Sequence, residues 1–520
     1  MHPSLSRLGL RLRPALPALL ALVAGALTVL GFAPFSYFPL AVIALALLTQ
    51  SLATGSPGAG LRRGWAFGLG LMGFGIAWIR ISLSQYGNMD AWAADLLMAT
   101  FVVWMASYYA LAGWLARWLQ PTPSWTGPVF LLPGLYVLFE WLRGWLFTGF
   151  AWLKLGYSQI DGPLSGYAPI GGVYGLSLLT AVSGGLLWGL IRWPGRGRLA
   201  AGTGLAIIWL GGTALQPVVW TQANGAPFKA AVLQANIPQS VKWDPEAKIG
   251  IVQAYWDLTK EHPDAKLIVW PETAVPDFLD QVREEMIDPM AEIARAKGFE
   301  MVLGIPVLDP TTRAYYNGLL AIGSREDLYT KRHLVPFGEF LPFKAWLGPL
   351  VKMFEIPMSD FSAGKAARPL LKVGGYTAGA SICYEDIFPG EVAQALPEAQ
   401  FLISVSNDAW FGDSLAPHQH LEMARMRALE TGRDLVRATN TGISAIIDWR
   451  GRVIGQIPPF VRGVYSGPVQ PRAGATPFVW VGNWLAIGLA LAMVGAALFI
   501  RRTSRRRSGP QAATGCGEGL

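Results

Sequence analysis

The sequence predicts a membrane protein of eight transmembrane α-helices, with one α/β layered sandwich domain inserted before the last helix. Three observations predict it: where charge is missing, how long the apolar runs are, and where the arginines fall. The 520 residues are 52% hydrophobic and only 15% charged, with a mean hydropathy of +0.35. A soluble chain usually carries about 25% charged residues. The deficit is concentrated in residues 15–220 and after 476, while 222–476 has ordinary globular composition and is long enough for one sizeable core.

A membrane span needs roughly 20 mostly apolar residues. Such runs occupy 15–33, 37–54, 64–83, 91–116, 128–147, 168–191, 199–220 and 477–500. The first is expected to stay as an uncleaved helix. Its "VAGALT" offers the small residues of a cleavage site, but the apolar stretch is long and passes directly into "FAPFSYFPL". Arginines then set the direction. Arg7, Arg11, Arg13, Arg62, Arg63, Arg117, Arg192, Arg196, Arg198 and the run from Arg501 to Arg507 fall in one alternating set of loops, and the opposite set holds little beyond Lys154. Positively charged loops stay inside. Both termini are therefore expected inside and the inserted domain outside. The expected divisions are 1–220 (seven helices), 221–476 (outer domain), 477–500 (eighth helix) and 501–520 (basic cytoplasmic tail). The formal charge of +8 is then mostly a topology signal. Nothing resembles a basic recognition helix or an aromatic RNA platform, and no nucleic-acid partner is expected.

Two features inside the spans invite comment. Gly68, Gly70 and Gly73 match the spacing of a dinucleotide fingerprint, but they lie within an apolar run, where glycines let helices approach closely. Glu140 and Arg143 lie three residues apart and can pair on one helix face. Ionisable residues in a span usually face protein or a water-filled cavity. This pair is expected to hold a platform beneath the site, to meet a lipid headgroup, or to be purely structural.

The outer domain alternates strands and helices. "FKAAVLQANI", "AKLIVWPE", "EMVLGIPV", "YTAGASICYED" and "QFLISVSND" read as strands; "DPEAKIGIVQAYWDLTKEH", "DQVREEMIDPMAEIARAKG" and "APHQHLEMARMRALETG" read as helices. "YYNGLLAIG" and "DLYTKRHLVP" read as a hairpin that delivers a lysine. The strands are apolar on nearly every residue, as in sheets covered on both faces.

Three groups stand at strand ends: Glu272, Lys331 and Cys383. Loops at strand ends are where α/β folds place chemistry. The chain has only two cysteines, and the topology puts Cys516 inside and Cys383 outside, so they cannot bridge. A nucleophilic thiol needs a base to take its proton and a cation to hold developing oxyanion charge. Glu272 and Lys331 are the candidates, although spacing alone does not show that they meet. His418 and His420 flank a glutamine without further Cys or His near by, so no metal is expected, and nothing requires an organic cofactor.

At this point the motifs match a family. "WPETAVP", "KRHLVPFGEFLP" and "SICYEDIFP" resemble the Glu-Lys-Cys triad segments of the nitrilase superfamily. The stretch from "SVSNDAWFGDS" to "TNTGISAIID", together with the membrane layout, resembles the apolipoprotein N-acyltransferase family. The resemblance covers nearly the whole chain. It implies a nitrilase-like αββα sandwich facing the periplasm from a bacterial inner membrane. It also implies a reaction: an acyl chain moves from a phospholipid donor to the N-terminal amine of a diacylglyceryl-cysteine apolipoprotein acceptor. By that resemblance Glu272 is the general base, Cys383 the acyl-carrying nucleophile, and Lys331 the cation beside thiolate and tetrahedral oxygen. A free thiol has a pKa of about 8.5 and needs such help near neutral pH. Two substrates sharing one thiol implies ping-pong kinetics. Glu339, Tyr384, Glu385 and Trp243 carry over as supporting or substrate-handling residues. The protein is expected to act as a monomer.

"FLPFKAWLGPLVKMFEIP" is too apolar for a loop away from the membrane. Phe340, Phe343 and Trp346 are expected to belong to a lid that lies on the bilayer and admits acyl chains. Two rival readings remain. A tethered amidase or nitrilase would share the triad but pass the acyl group to water. A transporter or scaffold would carry a catalytically dead domain.

Overall fold

Period-two alternation builds the sheets. In strand Phe228–Gln234, Ala230 and Val232 face one side and Ala231 and Leu233 the other, and all four are buried. A strand apolar on both faces must be covered on both. The computed structural model, which describes residues 15–87, 89–262, 264–342 and 360–507, supplies both covers.

Two six-stranded sheets stack face to face. The first runs, in spatial order, Gly463–Val469, Phe228–Gln234, Leu267–Val269, Glu300–Leu308, Tyr315–Ile322 and Asp327–Thr330. The second runs Val453–Ile457, Ser444–Ile447, Leu435–Thr439, Phe401–Ser406, Tyr376–Ile382 and Leu370–Val373. Central pairs are parallel and outer pairs antiparallel in both. Val232, Val269, Val302, Ile382, Ile403 and Val436 fill the space between the sheets. Helices Lys248–Lys260 and Asp288–Lys297 cover the first sheet through Tyr255, Ile251 and Met290. Helix Ala416–Thr431 covers the second through Leu421, Ala424 and Ala428. The order of layers is therefore α, β, β, α.

Helix Ala416–Thr431 also joins the sandwich to the helical part. Its opposite side buries Ala416, Met423 and Met426 among residues of the membrane-type helices. Its polar side chains meet that part too. Glu430 accepts from Val173 N at 2.6 Å, Glu422 from Ala33 N at 3.0 Å, and Gln419 donates to Gly75 O at 3.2 Å.

In the helical part, Pro57–Gly75 packs between Leu16–Val29 and Ala91–Leu119. A Cβ on Gly68 would stand 2.6 Å from Ala106 Cα, and one on Gly70 2.1 Å from Leu22 O. Those two glycines therefore serve helix approach. Gly73 has room for a side chain, its nearest neighbour being Val102 Cγ1 at 3.9 Å.

Of the eight expected spans, only some form single long helices. Among the described residues four helices are long and apolar enough to cross a membrane: Ala91–Leu119, Pro163–Arg192, Gly195–Leu215 and Trp484–Ser504. Pro57–Gly75 with Ile79–Tyr86 makes a fifth if its 58° bend is allowed within one span. Leu16–Val29 and Phe38–Leu52 have 14 and 15 residues. At 1.5 Å per residue they reach only ~21–23 Å, short of a ~30 Å hydrocarbon core. The 128–147 run does not form one helix. It divides into a π-helical turn Gly127–Leu131, helix Leu132–Arg143 and a 3-10 turn Leu146–Thr148. Pro128 and Pro133 lack the N–H donors that regular helix bonding uses, and Gly144 ends the helix. Apolar composition counts residues but does not detect such breaks.

The expected helix from 280 to 298 likewise forms three pieces, Leu279–Val282, Arg283–Ile287 and Asp288–Lys297. The "AKLIVWPE" strand is shorter than expected and ends at Val269.

Candidate active site

Glu272 stands three residues beyond strand Leu267–Val269, on a turn that folds back over the next strand. Gly304 lies beneath it: a Cβ there would stand 2.5 Å from Pro271 O and 2.7 Å from Glu272 Cα. Thr273 completes the turn with φ at +49°. The Glu272 carboxylate is fixed on both oxygens. Oε1 accepts from Asn317 Nδ2 at 2.7 Å and Oε2 from Asn407 N at 2.8 Å.

Lys331 follows the hairpin of Tyr315–Ile322 and Asp327–Thr330, and its side chain is fully buried. Its Nζ lies 2.8 Å from Glu339 Oε1 and 3.6 Å from Glu272 Oε1. Burial alone would lower the ammonium, but the Glu339 and Glu272 carboxylates outweigh it and leave Lys331 raised. Glu339 is held in turn by Val335 N, which donates to Oε2 at 2.8 Å. Asn317 also reaches Glu339 Oε1 at 3.4 Å, so one amide touches both carboxylates.

Cys383 begins the turn after strand Tyr376–Ile382 with φ at +53°, a left-handed conformation that a residue with a Cβ adopts at a cost of about 1–3 kcal/mol. The residue is partly exposed, while its sulfur lies deep among protein atoms. Burial pushes the thiol well above its ordinary range and the Glu272 charge pushes it further. Lys331 opposes, Asp408 adds to the rise, and the Ser406 hydroxyl lowers it. The resting thiol is therefore neutral, and ionisation requires a base to take the proton.

Glu385 secures this turn. Its Oε2 accepts from Ile382 N at 2.8 Å; its Oε1 accepts from Tyr329 OH at 2.7 Å, Arg332 N at 2.7 Å and His333 N at 3.2 Å. One buried carboxylate thus clamps the Cys383 turn to the backbone beside Lys331. Burial raises its pKa and these donors pull it back in part. Tyr384 reaches the helical part, donating to Gly149 O at 2.9 Å. Trp243 is 51% exposed and lies on the surface, while its neighbour Lys242 points inward. Phe340 is partly buried. Phe343 and Trp346 lie outside the described residues, as does Cys516.

Glu140 and Arg143 form no direct ion pair among the described residues, which corrects the expected pairing. Glu140 Oε1 accepts from Leu155 N at 2.6 Å, and Arg143 donates to Phe150 O at 3.0 Å and Trp152 O at 2.6 Å. Both hold the 150–155 loop, whose Lys154 donates to Ile387 O at 3.1 Å beneath the Cys383 turn. Helical spacing permitted a pair, but the loop backbone offered buried donors and acceptors that needed partners.

Sequence reasoning missed four groups around the site. Asn317 and Asn407 lie within strands or beside them, where an amide carries no periodic signal. His420 is sandwiched between Asp386 (2.8 Å) and Asp408 (3.0 Å), with Arg437 closing the cluster at 2.9 and 3.2 Å. Burial and Arg437 work against a charged His420, but the two aspartates prevail and raise it to about 9. The fourth group is Lys242, whose ammonium donates to Glu272 O at 3.0 Å.

Comparison with known proteins agrees with this architecture. Residues 24–186 match the apolipoprotein N-acyltransferase N-terminal domain, and residues 229–478 match the carbon-nitrogen hydrolase domain. The apolipoprotein N-acyltransferase of Methylococcus capsulatus is 46% identical over 484 residues, covering 93% of this chain and 96% of that protein. Its counterpart in Pseudomonas syringae pv. tomato is 42% identical over 500 residues, covering 95% and 99%. That in Nitrosomonas europaea is 41% identical over 493 residues, covering 94% and 98%. With both domain models matched and relatives aligned almost end to end, the chain belongs to the apolipoprotein N-acyltransferase family.

Proposed function

We propose that this chain moves a fatty acyl group from a phospholipid to the N-terminal amine of a diacylglyceryl-cysteine apolipoprotein, through a thioester on Cys383. The observation that carries this reading is the convergence at one strained cysteine. Lys331 lies 3.6 Å from Glu272 and 2.8 Å from Glu339, and both Glu272 and Lys331 act electrostatically on the thiol. Family membership supports the acceptor. The phospholipid donor is part of the proposal.

In the first half-reaction Glu272 takes the thiol proton as sulfur attacks the ester carbonyl carbon. Lys331 stabilises the negative oxygen of the tetrahedral intermediate. The carbon–oxygen ester bond breaks, the departing alkoxide takes the proton from Glu272, and lysophospholipid leaves. In the second half-reaction the lipoprotein amine attacks the thioester carbon and gives its proton to Glu272. The carbon–sulfur bond breaks, the proton returns to sulfur, and the amide leaves. Glu339 holds Lys331, and Glu385 holds the Cys383 turn. Trp243, exposed beside the site, is a surface on which substrate rests, and Tyr384 ties the turn to the helical part.

The residue ranges 1–220, 221–476, 477–500 and 501–520 serve as membrane, catalytic, membrane and cytoplasmic parts. The two short apolar helices and the broken 128–147 run cross together with the longer helices, which makes eight crossings. The catalytic part then faces the periplasm from the inner membrane, and the chain works as a monomer. The segment containing Phe340, Phe343 and Trp346 acts as the lid for acyl chains. Its two flanks are tied to each other beside the site, since Phe361 N donates to Glu339 O at 3.0 Å.

The test uses phospholipid with a labelled acyl chain. Wild-type protein is expected to acquire hydroxylamine-sensitive label and Cys383→Ala none. Free fatty acid released without label on the protein would favour a hydrolase instead.

A further inference from the structure

Lys242 is a second ammonium at this site, and the reaction just described leaves it without a task. It is 3% exposed, on a turn closed by Asp244 N donating to Val241 O at 3.1 Å. The turn sends Lys242 inward and leaves Trp243 outside. An ammonium carries three donors. The one hydrogen bond found for it among the described residues goes to Glu272 O at 3.0 Å. Its charge acts on the Glu272 carboxylate and on Cys383.

A count of charges shows what it contributes. Glu272 and Glu339 share the single ammonium of Lys331. Those three groups alone sum to one negative charge. When Glu272 takes the thiol proton, its negative charge moves to sulfur, and the set still sums to one negative charge in a buried place, where uncompensated charge is costly. Lys242 brings the total to zero before the thiol ionises. Asp408, the remaining acid that acts on the sulfur, is already balanced in the cluster of Asp386, His420 and Arg437.

Building on Cys383 as the acyl carrier, we propose that Lys242 is a positioning residue: it completes the charge balance that lets the thiolate form, and it holds the Glu272 turn by its carbonyl. Burial brings the Lys242 ammonium down to about 8, with Glu272 and Cys383 resisting. The charge is therefore present at neutral pH and is lost not far above it. The groups that face it are Glu272 and Cys383, with Lys331, Glu339 and Asp408 behind them.

Two variants separate charge from hydrogen bonding. Lys242→Gln keeps a donor for the Glu272 carbonyl and removes the charge, whereas Lys242→Arg keeps the charge. Each is purified in detergent as the full chain. The rate of Cys383 alkylation by iodoacetamide is followed against pH, along with single-turnover label transfer from phospholipid. Lys242→Gln is expected to move the alkylation midpoint up by about one pH unit and to slow label transfer at pH 7 by at least about tenfold. Lys242→Arg is expected to recover most of both. Wild-type alkylation should also show an inflection near pH 8 that Lys242→Arg lacks; this measurement stands even if Lys242→Gln does not fold. The proposal is overturned if Lys242→Gln alkylates and transfers label as wild type does. It is equally overturned if transfer slows while the alkylation midpoint stays put. Absence of thioester label on wild type would instead remove the acyl-carrier reading beneath it.

Discussion

Two buried clusters of charge meet at the Cys383–Ile387 turn of this protein, and they are built in opposite ways. Asp386, Asp408, His420 and Arg437 form a closed set, in which all four carboxylate oxygens meet His420 or Arg437 within 3.2 Å. Glu272, Glu339, Lys331 and Cys383 form an open set, in which charges of both signs act on the sulfur of a partly exposed residue. Satisfied charge makes a rigid support, because any displacement leaves a buried ion unpaired. Charge gathered around a thiol that can still give up its proton is suited to chemistry, since a proton can move among its members without breaking the fold. The closed cluster holds that turn at Asp386, and so supports the open one.

This contrast predicts that damage to the two clusters will be of different kinds. Glu272→Gln should slow acyl transfer by about 10²–10⁴-fold, the usual range for a lost general base, while stability in detergent falls by no more than about 1–3 kcal/mol, the cost of one unsatisfied contact. A large drop in Tm for this variant would erase the distinction. Arg437→Met leaves two buried aspartates facing one histidine. It should cost about 3–5 kcal/mol of stability, seen as a lowered Tm, and activity should fall only as far as folded protein does.

Glu385→Gln tests the link between the hairpin and the cysteine turn. An amide NH2 would face one of the N–H or O–H groups that now donate to the carboxylate, an unsatisfied contact costing about 1–3 kcal/mol. Label transfer is expected to slow about tenfold with KM for phospholipid unchanged. The smallest effect is pH-dependent. His420 is raised to about 9 in the folded protein and titrates near 6.5 when unfolded. The folded state keeps a proton that the unfolded state has lost, so its stabilisation is complete below pH 6.5 and fades as pH rises towards 9. Tm should decline between pH 6.5 and 8, by about 1 kcal/mol of stability per pH unit. From about pH 7 upward the lowered Lys242 begins to act in the opposite direction, so the lower end of the window is the clean one. A Tm that is flat from pH 6.5 to 8 would show that the closed cluster holds without a charged His420.

How much of this was legible in the sequence differs from residue to residue. The strand-end positions of Glu272, Lys331 and Cys383 could be read because alternating and continuous apolar runs mark strands locally. Helix Ala416–Thr431 was readable as a helix, but its role as the joint with the membrane part was not. Its hydrogen bonds across the joint come from Gln419, Glu422 and Glu430, polar side chains that composition assigns to a surface. The eight apolar runs were found, but whether each would be one unbroken helix was not, since prolines and bends act through backbone geometry.

By itself, then, the sequence determined where strands and apolar helices lie, which part of the chain is rich in charge, and which motifs place it in its family, because those properties depend on neighbours along the chain. Only the tertiary structure decided that Asn317 bridges two carboxylates, that Glu385 clamps the Cys383 turn, that Glu140 and Arg143 serve a loop and not each other, and that Lys242 stands inside the site. Each of those is a contact between segments distant in sequence. Its strength is set by burial and distance, which exist only once the chain has folded.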